Sequence, residues 1–345
     1  MISVGIIGGT GYTGKHLLEY CSNHPYIENL TVYAKNSAGE SLLSIFPELD
    51  GIVENQVVKS VDNISTGHDV YFVSLPHGES LKYVPWLYEL NKVIIDLGGD
   101  YRLKEPALYD KWYKFPHSST HLLQRAHYGL AEFNSNRENI KLVANPGCYP
   151  TSALLALKPL VKEFSTAINT ITINSYSGTS GAGKSPKTEL MMAEMDGNVA
   201  AYKVNGHQHF PEIEQELISD GLKSPVAFTT HLLPVARGIY STSTVHLSKE
   251  LDPDEILNVY RKTYDGQCFV RLRDIPPKLA WVTGTNFCDI NVSVSGKTVI
   301  ITSAIDNLIK GASGQAVQNM NFVFGWEDGL GILKNSNYEK MNSEV

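Results

Sequence analysis

The chain has 345 residues, more than one hydrophobic core usually organises, so two domains are expected. Its 36 acidic residues outnumber 29 basic ones, for a net charge of −7, which argues against a nucleic-acid footprint and for small-molecule partners. The composition, 42% hydrophobic and 19% charged, suits a globular protein with well-buried sheets, and no apolar run approaches the ~20 residues of a membrane-spanning helix.

The first residues, MISVGIIGGTG, lack the basic lead and unbroken apolar run of a signal peptide. The four cysteines, Cys21, Cys148, Cys268 and Cys288, form no CxxC pair, and no His/Cys cluster has zinc-site spacing. A reducing, cytoplasmic setting is expected, without a metal site or a disulfide framework.

In the first half strands and helices alternate. Val4–Ile7 is a short apolar run ending in glycines, Lys15–Cys21 is amphipathic, and Leu30–Ala34 is a second strand. Asp69–Ser74 and Lys92–Leu97 are further β-branched runs, so a parallel sheet covered on both faces is expected. Thr151–Leu160 predicts a helix. Beyond it the strands lengthen and alternate: Asn169–Ser177, Pro225–Val235, Ile239–Leu247, Phe287–Ser293 and Lys297–Ala304. That texture predicts an α+β domain on a mainly antiparallel sheet with one wet face. Gly311–Trp326 carries apolar residues at helical spacing and is expected to return to the first domain, and the polar tail after it is expected to fray.

GGTGYTG (Gly8, Gly9, Thr10, Gly11, Tyr12, Thr13, Gly14) lies directly between the first strand and the first helix. Its G-x-G-x-x-G spacing suits a tight turn, close backbone approach to a pyrophosphate and amide donors at a helix N-terminus. A Rossmann-type dinucleotide domain follows. The tip of the second strand offers Lys35, Asn36 and Ser37 and no carboxylate, which favours NADP(H). GTSGAGKS (Gly178–Ser185) also matches a phosphate-loop pattern. Pro186 and Lys187 leave a poor helix behind it, and the strand before it alternates, so a nucleotide hydrolase is disfavoured. An anion site built on its amides and Lys184 stays open.

NPGCYPT (Asn145–Thr151) puts Cys148 at a helix start, where amides and the dipole can lower a thiol's pKa and make it a nucleophile. His207 and His209 precede a helix expected to start at Pro211, and either suits acid–base work. Glu212 and Glu214 could orient a ring or simply offset the dipole. Arg102 and Arg237 offer planar forks for an anion, or surface ion pairs.

NPGCYPT, the GTSGAGK loop, NGHQHFPEIEQ, PVARGI and DNLIKGASGQAVQNMN follow GGTGYTG in an order that resembles the N-acetyl-gamma-glutamyl-phosphate reductase family, relatives of aspartate-semialdehyde dehydrogenase. The likeness runs from the first strand to about Trp326. It implies that Cys148 attacks an acyl phosphate and that NADPH reduces the thioester to an aldehyde, with His209 preferred over His207 as acid/base. It also implies that Gln315 meets the nicotinamide amide, that Ser74, Pro76, Ser180 and Gly181 join the cofactor site, and that Arg102, Asn145, Lys184 and Arg237 hold the substrate. Ser152 departs from the family, which usually carries a smaller residue there. The implied domains are 1–147, completed by the C-terminal helix (about 311–345), and 148–310 for catalysis and dimerisation, in a homodimer or homotetramer. Alternatives are aspartate-semialdehyde dehydrogenase, an aminoadipyl-phosphate-type reductase, the disfavoured nucleotide hydrolase, and an NADP-binding redox sensor. The substrate's acyl group stays undecided.

Overall fold

The computed structural model describes residues 1–184 and 187–333. The tail from residue 334, and Ser185 and Pro186 of the second glycine-rich loop, lie outside the described residues. The chain divides into two compact units, Met1–Pro146 with the segment from Ala312, and Gly147–Gly311.

The first unit is built on strands β1 (Ile2–Ile7), β2 (Ile27–Ala34), β3 (Lys59–Ser60), β4 (Val70–Val73), β5 (Val93–Asp96), β6 (His127–Tyr128) and β7 (Leu142–Ala144). They lie in the order β3-β2-β1-β4-β5-β7-β6, every pair parallel. Alternate residues feed two cores: Val4 and Ile6 pack with Leu17, Val317 and Met320, whereas Ile7 packs with Val73, Leu87 and Ile94. Both faces are therefore covered, which is why these strands read as unbroken apolar runs. The chain runs outward from β1 to β3 and then returns to β4 beside β1. Strand order thus reverses between β1 and β4, the place where open α/β sheets bind ligands.

The second unit carries β8 (Ile168–Ser177), β9 (Ala200–Tyr202), β10 (Val226–Leu232), β11 (Ile239–Leu247), β12 (Val270–Leu272), β13 (Cys288–Ser295) and β14 (Thr298–Ile305), ordered β12-β13-β14-β11-β8-β10-β9. The expected mainly antiparallel sheet needs correction: the sheet is mixed. β10 runs parallel to β8 along its whole length, and β12 runs parallel to β13. Between β8 and β10 the chain passes through the Phe210–Ser219 helix, a crossover that brings the next strand back in the same direction. Half-covered strands alternate whichever way their neighbour runs, so the pattern carried no direction. One face packs on the Cys148–Phe164 helix, flanked by the Phe210–Ser219 and Pro253–Tyr264 helices.

The wet-face expectation also changes in detail. Ser175, Ser241 and Ser303 lie on the buried face, where Ser241 and Ser303 meet the Ser152 hydroxyl at 3.1 and 2.8 Å and Ser175 meets Ser241 at 2.7 Å. The hydroxyls satisfy one another, so the polar residues that suggested solvent are tolerated inside. Among the described residues no helix is long and apolar enough to cross a membrane, and no group of three or more His, Cys, Asp or Glu is arranged to hold a metal ion.

Candidate active site

In the first unit GGTGYTG makes the β1 turn and leads into the Tyr12–Ser22 helix, with Gly11 at its N-cap. Gly8 has φ +84, and a Cβ on it would lie 2.2 Å from the Ser74 carbonyl oxygen. Cβ atoms on Gly9 and Gly14 would come within 2.7 Å of Val32 Cγ1 and 2.3 Å of the Gly9 oxygen. These three glycines serve backbone and helix–strand contact. A Cβ on Gly11 would meet only the Gly8 oxygen, at 3.8 Å, which leaves that face open for close approach of a ligand. Thr13 Oγ1 lies 2.5 Å from Ser74 Oγ, tying the turn to the loop after β4, where Pro76 is exposed. Lys35 is exposed and Ser37 half-buried beyond the tip of β2. This cradle fits a dinucleotide.

The Gly314–Phe324 helix completes this unit, although its sequence is rich in amides. Gln315, Gln318, Asn319 and Asn321 are all buried. Asn319 Nδ2 donates to the Gly129 carbonyl (2.7 Å) and to Asn145 Oδ1 (2.9 Å), Asn319 Oδ1 accepts from Asn134 Nδ2 (2.9 Å), and Gln315 Oε1 accepts from Ala131 N–H (3.4 Å). Asn145 is fully buried, and its Nδ2 donates to the Ala312 carbonyl (3.2 Å). Arg102 is only 4% exposed, with Nε on the Asn145 carbonyl and Nη2 on the Leu97 carbonyl, both at 2.8 Å. Asn145 and Arg102 brace the backbone at the exits of β5 and β7.

In the second unit Cys148 is the first residue of its helix, with Gly147 at the N-cap and no acidic residue in the first turn. Its side chain is half-buried. A Cβ on Gly311 would lie 2.7 Å from Cys148 Cβ, so the glycine of the π-turn Ile309–Ser313 packs directly on the thiol side chain. On the other side, a Cβ on Gly147 would lie 2.5 Å from His209 Nε2. Glu212, fully buried in the first turn of the next helix, accepts the Gly147 N–H at 2.8 Å through Oε1. The two helix N-termini are therefore stitched together at Gly147, and the His209 ring lies against the residue before the cysteine.

His207 is held differently. Its Nδ1 accepts the His209 N–H at 3.1 Å, and Tyr149, Tyr202 and Phe228 surround its ring at centroid distances of 5.1 to 5.8 Å. Tyr149 and Tyr202 share a hydrogen bond of 2.8 Å, and burial pushes the Tyr202 hydroxyl up to about 12. Glu214 is half-buried, and the structure gives it no part in orienting a ring.

The GTSGAGK loop is pinned at its start. Its first three amides are spent on the protein itself: Gly178, Thr179 and Ser180 N–H donate to the carbonyls of Gly238, Val235 and Ala236 at 2.9 to 3.0 Å. Ser180 Oγ accepts from Asn307 Nδ2 (3.0 Å), Gly181 lies close by, and Lys184 is exposed. Arg237, partly exposed, pairs through Nη2 with Asp306 Oδ1 at 3.0 Å; Asp306 also accepts the N–H groups of Leu308, Ile309 and Gly284. The sequence reading missed Gly311, the Tyr149–Tyr202 pair and the buried Asp96 and Asp100. No local pattern in the sequence marks any of them, because each is defined by burial or by a partner distant in the chain.

Comparison with known proteins defines the class first. The family model "Semialdehyde dehydrogenase, NAD binding domain" matches residues 3–143, and "Semialdehyde dehydrogenase, dimerisation domain" matches residues 148–307. Solved structures of the same fold include aspartate semialdehyde dehydrogenase II complexed with ASA from Vibrio cholerae (TM-score 0.72, 19% identity, 94% of this chain, 98% of that one). Another is aspartate semialdehyde dehydrogenase with NADP from Candida albicans (TM-score 0.68, 15% identity, 94% and 98%). Among curated relatives, N-acetyl-gamma-glutamyl-phosphate reductases from Halothermothrix orenii and Methanocaldococcus jannaschii are 41% and 43% identical, each over 96% of this chain and 98% of the relative. The chain belongs to the N-acetyl-gamma-glutamyl-phosphate reductase family.

Proposed function

We propose that the protein reduces N-acetyl-gamma-glutamyl phosphate to the 5-semialdehyde and phosphate, a step of arginine biosynthesis, through a thioester on Cys148. One observation carries the mechanism: Cys148 opens a helix whose N-cap glycine lies under the His209 ring and is held by Glu212. Helix amides favour the thiolate as nucleophile. As sulfur bonds to the acyl carbon, the bond to phosphate breaks and phosphate leaves. A nicotinamide dinucleotide supplies, when bound, the hydride that reduces the thioester. His209 takes the thiol proton, lends it to the oxygen of the reduced adduct and takes it back as that adduct collapses to the aldehyde and the thiolate. His207 anchors the His209 backbone through its Nδ1. Arg237 and Lys184 serve the substrate's anionic groups.

NADP(H) is the preferred cofactor, because Lys35 and Ser37, and no carboxylate, stand past the tip of β2. Residues 1–147 with the C-terminal helix hold it, with Gln315 reading the nicotinamide amide. Residues 148–310 carry catalysis and self-association into a homodimer or homotetramer. The enzyme works in the cytoplasm, where Cys148 stays reduced. The test is phosphate-dependent semialdehyde oxidation with NADP⁺ and NAD⁺ over a panel of semialdehydes. Activity with the N-acetylglutamyl substrate is expected; a preference for aspartate semialdehyde would replace this reading with the aspartate branch.

A further inference from the structure

The loops leaving β4 and β5 are joined by one carboxylate. Asp100 is fully buried, and both its oxygens face the loop Ser74–Ser80. Oδ1 and Oδ2 accept the Gly78 N–H at 2.8 and 2.9 Å, and Oδ2 also accepts the Ser80 N–H (3.2 Å) and the Ser80 hydroxyl (2.7 Å). A second strut runs beside it, from Gly99 N–H to His77 Nδ1 at 3.0 Å. The backbone of Asp100 is held in turn, its carbonyl accepting from His117 Nε2 at 2.7 Å. Gly78 itself is turned to φ +85, a left-handed conformation that favours glycine.

The same loop begins at Ser74, whose carbonyl touches Gly8 and whose hydroxyl meets Thr13 of the glycine turn. One end of Ser74–Ser80 is thus fixed to the β1 side of the crevice and the other to Asp100. We propose that Asp100 is a positioning residue for the dinucleotide, shaping the β4 wall of the crevice through Gly78 and Ser80. This rests on the cofactor site assigned above. An ionised carboxylate suits the task because it only accepts, and three donor groups converge on it. An asparagine would turn an NH₂ toward N–H donors.

The experiment titrates NADPH into the full-length protein, followed by quenching of intrinsic fluorescence, for wild type, Asp100→Asn and Ser80→Ala, with KM for NADPH and kcat measured alongside. Asp100→Asn should raise the Kd and KM for NADPH about tenfold, as loss of hydrogen bonds to a charged group implies, with kcat at saturating cofactor within about twofold. Ser80→Ala, which removes one of these bonds, should raise both about threefold and keeps the test available if Asp100→Asn fails to fold. Wild-type affinity in both variants, or a loss of kcat with unchanged KM for NADPH, overturns the proposal. A wild type that does not bind NADPH overturns the cofactor reading itself, and with it this inference.

Discussion

Gly147 sits where three functional contacts meet. Its N–H holds Glu212, its α-carbon faces His209, and its carbonyl accepts the Thr151 N–H to start the thiol helix. A methyl group there would overlap the imidazole at 2.5 Å. Gly147→Ala should therefore lower kcat by roughly 100-fold, the scale of a misplaced acid–base group, with NADPH binding unchanged. Cys148→Ser should abolish turnover and also leave cofactor titrations intact; full activity in that variant would exclude a covalent route. Cys148 and the histidine pair were legible because a helix start and an H-x-H segment are local signals. That His209, and not His207, lies over Gly147 was not, since it depends on the backbone path through His207 Nδ1. Asp96 was invisible for a similar reason: no local pattern marks a buried acid. Burial first, and then the neighbouring Asp100, push its carboxyl up to about 8. The unfolded chain releases that proton near pH 3.9, so between about pH 4 and 8 the folded state binds more protons, and this group's contribution to stability falls as pH rises. Asp96→Asn should remove that slope. Urea melts at pH 5.5 and 7.5 should show the variant gaining on wild type by roughly 1 kcal/mol per pH unit.

The Cys148–Phe164 helix contains Pro159, which has no N–H for the Leu155 carbonyl one turn earlier. The Tyr264 hydroxyl donates to that carbonyl, and the Tyr260 hydroxyl donates to the Ala156 carbonyl at 2.7 Å. The Pro253–Tyr264 helix thus supplies from outside what the proline removes. At this end Lys158 also pairs with Asp220 at 2.6 Å, joining the thiol helix to the histidine helix far from the chemistry. Tyr264→Phe should destabilise the protein by about 1–3 kcal/mol, because a buried acceptor loses its donor. In a Pro159→Ala background much of that cost should vanish, since the restored N–H can reach Leu155. Additive losses in this double-mutant cycle would show that the two residues act independently. Strand positions were read well from alternation, Ile239–Leu247 to the residue. Strand direction and the hydroxyl cluster at Ser152 were not, because both are settled by a neighbouring strand.

Across the molecule, charge and composition pointed to small-molecule partners, and the glycine turn marked the dinucleotide-binding end of the first sheet. In the second glycine-rich loop small residues permit exposed amides, but neighbouring carbonyls take those of Gly178, Thr179 and Ser180. On the function proposed above, cofactor choice belongs to this scale too, because it would turn on the Lys35 charge beyond the end of β2. Lys35→Glu should weaken NADPH binding by about tenfold or more and leave NADH nearly unaffected; an equal loss for both would place the 2′-phosphate elsewhere.

The amide-rich Gly314–Phe324 helix has a consequence for biosynthesis. Its side chains satisfy Gly129, Ala131 and Asn145 in the first unit, yet it emerges from the ribosome after all of Gly147–Gly311. At about 5–20 residues per second those intervening 165 residues take roughly ten to thirty seconds. Throughout that interval the nascent nucleotide-binding unit has its apolar face around Val4 and Ile6 short of Val317 and Met320. The first unit can therefore complete its core only after the whole of Gly147–Gly311 has been made.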